Sequence, residues 1–440
     1  MDSVQPTQST GLFARWAAWC DSVPHLRLGA AMKPLEIAVA GCGPAGLAAA
    51  LLLVRDGHRV TLFERFAAPR PIGSGLMLQP TGLAVLRTLG LRDTIVAAGA
   101  RIDRLTGRTA SGRIVLDVRY AALQRPTAFG LGVHRAALFG SLHRAVTAAG
   151  LVIETNRTVA SAEPLAGDRR QLVFAGGART GQFDLVVDAL GAATPLSPPT
   201  GRDLPYGALW ASLDWLDRDG FDAAALEQRY AGAHTMAGVM PIGRAEGFAA
   251  PQAAFFWSLR QDRLDVWRRG GLASWKANVL ALWPRTRALL DQIDSPERLT
   301  FARYRHRTLK IAAERGIIHI GDSWRSTSPQ LGQGANMALL DAYALAAALR
   351  SAPDVPSALA GAVQMRKSHV TIYQSMSYLF TPVYQSDSRI LPLLRDRLVG
   401  PLAKLWPATA ILAAIVAGLI GSPLRRLGLS LEGLHGEPPT

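Results

Sequence analysis

An α/β fold built around a parallel sheet is what this sequence predicts, and three observations carry it. A short, continuous apolar segment near residue 37 runs straight into spaced glycines and then an apolar helical stretch. A second such segment, Ile317 to Ile320, runs into Gly321-Asp322 and a further glycine-punctuated approach to a helix. The composition is that of a folded chain: 440 residues, 49% hydrophobic and 18% charged, room for roughly two or three domains.

Residues 1–31 contain "GLFARWAAWC" but no sustained apolar run, so no signal peptide is expected; residues 1–33 read as a loosely ordered extension. "LEIAVAGCGPAGLAAALLLVRDGHRVTLFER", Leu35 to Arg65, is the clearest stretch. Ile37 to Ala40 is the uninterrupted apolar strand expected where both faces of a parallel sheet are covered. Gly41, Gly43 and Gly46 form GxGxxG, the run Leu47 to Val54 continues as a helix, and Asp56-Gly57 ends it. Arg59 to Phe63 returns as a strand ending at Glu64, which lies 18 positions past Gly46.

Each residue type has a task in that order. Gly41 permits a tight turn, Gly43 lets the backbone approach a pyrophosphate, and Gly46 lets helix and strand pack closely. The helix N-terminus, opened by Pro44 and Ala45, presents unpaired N–H groups and a partial positive charge suited to phosphate. An acid at position 64 accepts hydrogen bonds from ribose hydroxyls and argues against a 2′-phosphate there; Arg65 follows it. The unit is therefore Rossmann-like and dinucleotide-binding, and it does not by itself separate FAD from NAD.

"RGIIHIGDSW" followed by "SPQLGQGANMALLDAYALAAAL" makes the choice. A strand ending in Gly321-Asp322, then Gly332-Gln333-Gly334 before a helix, resembles the second flavin motif of single-component FAD-dependent aromatic monooxygenases. That family is typified by para-hydroxybenzoate, salicylate and ubiquinone-pathway hydroxylases, and the resemblance spans residues 34 to 350. It implies that Asp322 holds the ribityl chain of FAD. It also implies that the backbone of Gly332, Gln333, Gly334, Ala335 and Asn336 faces the pyrimidine edge of the ring. There a helix N-terminus stabilises the reduced anion. "VHRAALFGSLHRA" places Arg135 where the family has an arginine facing the cofactor. "IGSGLMLQPTGLAVLRTLGL", Ile72 to Leu91, resembles the loop and helix beside the flavin.

Two departures stand out. The usual Gly-Asp-Ala-Ala-His reads Gly-Asp-Ser-Trp-Arg here, so the large Trp324 and Arg325 either reshape the region near the ring or face outward. In "DLVVDALGAATPL", Leu190 replaces the acid of the usual Ala-Asp-Gly, which puts details of pyrophosphate and pyridine-nucleotide handling in question.

The segment from about 205 to 300 is rich in Met, Phe and Trp, and the resemblance implies a mostly antiparallel sheet over the flavin. Met240, Trp257 and Pro329 are the candidate substrate residues, with Pro241 and Phe256 beside them; core packing is the competing role for each. No second GxGxxG sits in a βαβ frame, which argues against disulfide reductases and two-dinucleotide monooxygenases; the resemblance implies NAD(P)H as a transient co-substrate. No WxWxIP motif points to a halogenase, and no hydrolase triad is readable.

The expected division is 34–105, 133–204 and 303–352 for a discontinuous FAD-binding domain and 106–132 and 205–302 for the substrate domain. Residues 353–440 form a C-terminal helical region. "LWPATAILAAIVAGLIGSPLRR" is uncharged from Leu405 to Pro423, slightly short of a membrane span and interrupted by Pro407, Gly418 and Gly421. A docked helix, a homodimer interface, peripheral membrane contact and a span all remain open for it.

The net charge is +15 with only five lysines, and no basic run or basic-aromatic stripe accompanies it, so nucleic-acid binding is not expected. Two distant cysteines, Cys20 and Cys42, exclude a disulfide scaffold and fit a reducing, cytoplasmic setting; no metal-ligand spacing appears. The resemblance implies an NAD(P)H- and O2-dependent hydroxylase working through a flavin C4a-hydroperoxide on an aromatic or other activated hydrophobic small molecule. No residue declares itself as a catalytic base. An isoprenoid double-bond reductase on the same scaffold and a non-catalytic flavin-binding protein are the alternatives.

Overall fold

The first strand, β1 (Glu36–Ala40), lies at the centre of a six-stranded sheet. It pairs in parallel with β2 (Arg59–Phe63) on one side, and β3 (Val152–Glu154) extends that edge. On the other side lie β4 (Leu185–Asp188) and β5 (Ile317–His319), again parallel, with Ala313–Glu314 as an antiparallel edge. This computed structural model describes residues 32–69, 74–216, 220–399 and 405–431. Residues 1–31 and Ile72-Gly73, which figured in the sequence reading, lie outside that set.

Both faces of β1 are covered, which is why its sequence is continuously apolar rather than alternating. Ile37 and Val39 pack with the helices, whereas Ala38 and Ala40 pack with Phe63, Phe174 and Phe183 on the opposite face. The helical side is formed by α1 (Pro44–Arg55), α2 (Arg135–Ala148) and α3 (Gly334–Ser351). α3 is buried along almost its whole length because α1 covers one flank and α4 (Val355–Tyr384) the other.

A second, seven-stranded sheet takes strands from 104–119 and from 206–302, antiparallel throughout except where Ala225–Ala231 runs parallel to Arg104–Thr109. Its period-2 alternation sends successive side chains to opposite faces. Leu105, Leu226, Met240 and Phe256 share one face; Leu209, Val239, Phe255 and Trp257 share the other, packed on the helix Leu264–Leu282 through Trp275 and Val279.

Beyond α4 the chain forms α5 (Ala408–Val416) inside the apolar segment left open by the sequence. α5 docks on the edge strand Ile114–Arg119 and the turn Tyr120–Leu123, with Ala413 and Ala417 fully buried. Among the described residues no helix is long and apolar enough to cross a membrane.

Candidate functional site

The GxGxxG turn is built as its spacing requires. Gly41 has φ +103, and a Cβ there would sit 2.6 Å from the Ala189 carbonyl oxygen. A Cβ on Gly46 would meet the Gly41 carbonyl oxygen at 2.0 Å, so helix and strand touch backbone to backbone. Gly43, the N-cap of α1, differs: a Cβ there meets nothing within 4 Å. No side chain caps α1, Pro44 opens it, and the first-turn N–H groups have no partner within the helix. The Glu64 carboxylate is pinned beside the turn, accepting from Cys42 N (3.2 Å) and Phe66 N (3.0 Å). Arg65 is exposed, its guanidinium over the Phe66 ring at 4.6 Å.

The second glycine turn follows β5 and converges on the first. At Gly321, φ is +59, and a Cβ would lie 3.2 Å from Ala45 Cβ and 3.4 Å from Ala338 Cβ. The neighbouring Asp322 is exposed to a cavity that Arg135 and Arg325 also line. The protein around that cavity raises the Asp322 carboxyl above its ordinary value; Arg325 and Arg135 pull it back and Asp341 adds to the rise.

The cavity, about 510 Å³, reaches from Asp322 and the loop Pro329–Ala335 to the inner face of the large sheet. Met240 and Pro329 line it, as do Gly332, Gln333, Gly334 and Ala335. Trp257 does not, which corrects its assignment as a substrate residue. Its side chain joins Trp275 and Val279 on the outer face, and the adjacent Phe256 faces the cavity instead. The turn Gly41–Gly46 and Glu64 lie outside the cavity and meet its Asp322 end through the Ala45–Gly321 contact.

Two expected cofactor residues have side chains engaged in ties between segments. Asn336 accepts from Gln79 N (2.7 Å) and donates to the Met77 (3.2 Å) and Gly332 (3.0 Å) carbonyls. Gln333 donates from Nε2 to the Val416 carbonyl at 2.7 Å, reaching into α5.

The departures at 324–325 and 190 acquire physical content. Trp324 and Arg325 are both buried, so the outward-facing alternative is overturned. Arg325 donates to both Asp341 oxygens (2.5 and 3.3 Å), Arg366 Nε donates to Asp341 at 2.8 Å, and Gly321 N donates to it at 3.0 Å. Near Leu190 the tying acid is Asp188, two residues earlier. Its fully buried carboxylate accepts from Leu190 N (3.0 Å), Thr194 Oγ1 (2.7 Å) and Ser323 Oγ (3.0 Å) and meets His319 Nδ1 at 2.6 Å. Ser323 Oγ in turn accepts from Gly191 N at 2.8 Å, so the ends of β4 and β5 are locked together.

Sequence reasoning passed over Asp188, Asp341, Arg366, His369 and the α5 residues Leu412, Ile415 and Val416. An acid closing the strand before Leu190 was the one local signal; the others depend on partners far along the chain.

The open space at Gly43, beside uncapped helical N–H groups, fits a phosphate. Cβ positions at Gly191 and Gly334 also meet nothing within 4 Å, leaving room for a flat, extended group along the cleft. Among the described residues no cluster of His, Cys, Asp or Glu is arranged to hold a metal ion.

Residues 34–163 match the family model described as "FAD binding domain". The chain is 26% identical to 3-amino-4-hydroxybenzoate 2-monooxygenase of Streptomyces cremeus over 74% of this chain and 81% of that protein. It is 22% identical to the FAD-dependent urate hydroxylase of Mycolicibacterium vanbaalenii over 91% of this chain and all of that one. Among solved structures, tetrameric 2-methyl-3-hydroxypyridine-5-carboxylic acid oxygenase superposes with a TM-score of 0.73 at 19% identity, covering 90% and 98% of the two chains. Klebsiella pneumoniae HpxO complexed with FAD and uric acid superposes at 0.72 with 19% identity, covering 88% and 98%.

Fold, glycine turns and relatives together define the class: this chain is an FAD-dependent monooxygenase, an oxidoreductase. Within that class, its two flavin motifs are similar to those of the single-component aromatic type.

Proposed function

We propose that the protein hydroxylates a hydrophobic aromatic or heteroaromatic small molecule, consuming one NAD(P)H and one O2 and releasing one water per product. The observation that carries this reading is the cavity itself. It is apolar along the large sheet and opens directly onto Asp322 and the Gly332–Ala335 loop. Relatives named for a hydroxybenzoate and for urate support an aromatic ring as the reacting part.

When bound, FAD supplies the electron transfer from nicotinamide and the activation of O2. The chain's own residues bind and orient. The first turn of α1 receives the pyrophosphate, with Gly43 leaving the space, and Glu64 accepts from the ribose. Asp322 would hold the ribityl chain, and the loop Gly332–Ala335 would lie beside the ring. Arg135 and Arg325 add positive charge beside Asp322, which would suit negative charge on a group bound there. Met240 and Phe256 keep water from the reacting ring. In this reading the FAD-binding unit is 34–105, 133–204 and 303–352, and the substrate unit is 106–132 and 205–302.

The test follows NAD(P)H and O2 consumption by the FAD-loaded protein over phenols, quinols, indoles and polyprenyl compounds. Substrate-stimulated oxidation with one O2 consumed per hydroxylated product is expected. Product formed at the same rate without O2 would mean a reductase, and flavin binding without turnover on any compound would count against an enzyme.

A further inference from the structure

α5 comes from neither sheet, yet it forms one wall of the cavity. Leu412, Ile415 and Val416, at helical spacings of three and four, share the face that lines it, while Ile411 is exposed. The wall stands between the flavin-side loop, through Gln333, and the sheet edge at Ile114–Arg119.

Its position is fixed at the end where a helix leaves carbonyls unpaired. Gln333 Nε2 donates to the Val416 carbonyl, Tyr373 OH to that of Ile415 (2.8 Å), and His369 Nε2 to that of Gly418 (3.0 Å). The His369 tautomer follows from its other nitrogen. Nδ1 lies 2.9 Å from the Arg366 guanidinium, which can only donate, so Nδ1 accepts and Nε2 carries the hydrogen.

Charge is divided unevenly around the cavity. The charged lining residues are Arg135, Arg303, Arg305, Asp322 and Arg325, none of them from α5 or from the strands between 104 and 119 and between 225 and 241. Those strands contribute mainly apolar side chains, Leu105, Leu116, Val118, Leu226 and Met236 among them, with the uncharged polar Gln228 and Tyr230.

Resting on the hydroxylase reading, we propose that α5 is the specificity wall of this enzyme. Leu412, Ile415 and Val416 set the size of a neutral apolar extension, aliphatic or fused-ring, carried by the substrate beside its reacting ring. The polar end of the cavity takes the ring to be hydroxylated, and the α5 side takes the extension.

The test uses FAD-loaded protein and a series of 4-n-alkylphenols from methyl to nonyl, with binding read from the change in flavin absorbance. Neither reductant nor O2 is needed, so the wall is measured separately from turnover. Wild-type affinity is expected to rise roughly fourfold per added methylene, the equivalent of about 0.8 kcal/mol, up to a limiting length. Ile415→Phe shortens that limit and Ile415→Ala lengthens it, with FAD content and melting temperature matching wild type. If Ile415→Phe loses FAD, Leu412→Ala and Leu412→Phe read the same face. Identical limits in all variants, or no wild-type dependence on chain length, overturn the wall. The hydroxylase reading fails independently if alkylphenols bind with the expected limits but no bound compound stimulates O2 consumption.

Discussion

His369 shows what burial does to a single ionisable group in this molecule. Fully buried beside Arg366 and near Arg325, it is pushed down to about 2, burial being the larger cause and the two guanidiniums adding to it. The unfolded chain takes up a proton near pH 6.5, whereas the folded chain refuses it until about pH 2. Its contribution to stability is therefore complete above pH 6.5 and lost as the pH falls through that window, by up to about 1.4 kcal/mol per pH unit. His369→Gln, which keeps a side-chain donor for Gly418 without a titrating ring, should flatten the pH dependence of urea unfolding between pH 6.5 and 4.5. Equal slopes in the two proteins would show that His369 is not held neutral. None of this was legible in the sequence. His369 meets Gly418 49 positions away, and Asp341 meets Arg366 25 positions away. The size of Trp324 and Arg325 could be read directly; that Arg325 turns inward depends on Asp341, which only the packing of α3 against the Gly321 turn supplies.

At the level of elements, legibility followed locality. Gly41, Gly43 and Gly46 act within one strand–turn–helix unit, so their spacing alone announces the turn, and each now has a distinct steric meaning. Gly43→Val places its side chain in open space at an extended φ of −73, so the apo fold loses no more than about 1 kcal/mol through a poorer N-cap. The same variant should fail to retain FAD, because the side chain enters the space left for the phosphate. Gly46→Val drives its Cβ against the Gly41 carbonyl and should cost about 3 kcal/mol or more of apo stability. Urea unfolding of the apo proteins, with flavin content measured on parallel preparations, separates the two. Full FAD content in a folded Gly43→Val would move the phosphate elsewhere. By contrast, Phe256 and Trp257 were indistinguishable by composition: a strand alternates, but the sequence does not say which parity faces the cavity. α5 posed the same difficulty more severely, because nearly every side chain in it is apolar and no charged face marks the solvent side; docking on Ile114–Arg119 decides its face.

Over the whole molecule, the site is assembled from segments that share no local signal. Residues 41–46, 188–191 and 321–336 meet because β1, β4 and β5 are neighbours in one parallel sheet and all end at the same edge. That convergence was readable as the order of two motifs, but the locks that hold it, Asp188 to Ser323 and Asp341 to Gly321, were not. A group lying across all three segments binds only when they are together, so its binding free energy adds to the stability of the entire fold. FAD at a hundredfold excess over its dissociation constant should raise the unfolding free energy by about 2.7 kcal/mol, and each further tenfold by about 1.4 kcal/mol. Asp322→Asn keeps the shape but removes the charged acceptor at one end, which costs about 1.5–3 kcal/mol of binding. Its stabilisation curve should therefore be displaced to roughly ten- to hundredfold higher FAD with the same slope. Urea unfolding across an FAD titration measures both curves. Coincident curves would remove Asp322 from the cofactor site, and a flat wild-type curve would mean that the three segments do not share one ligand.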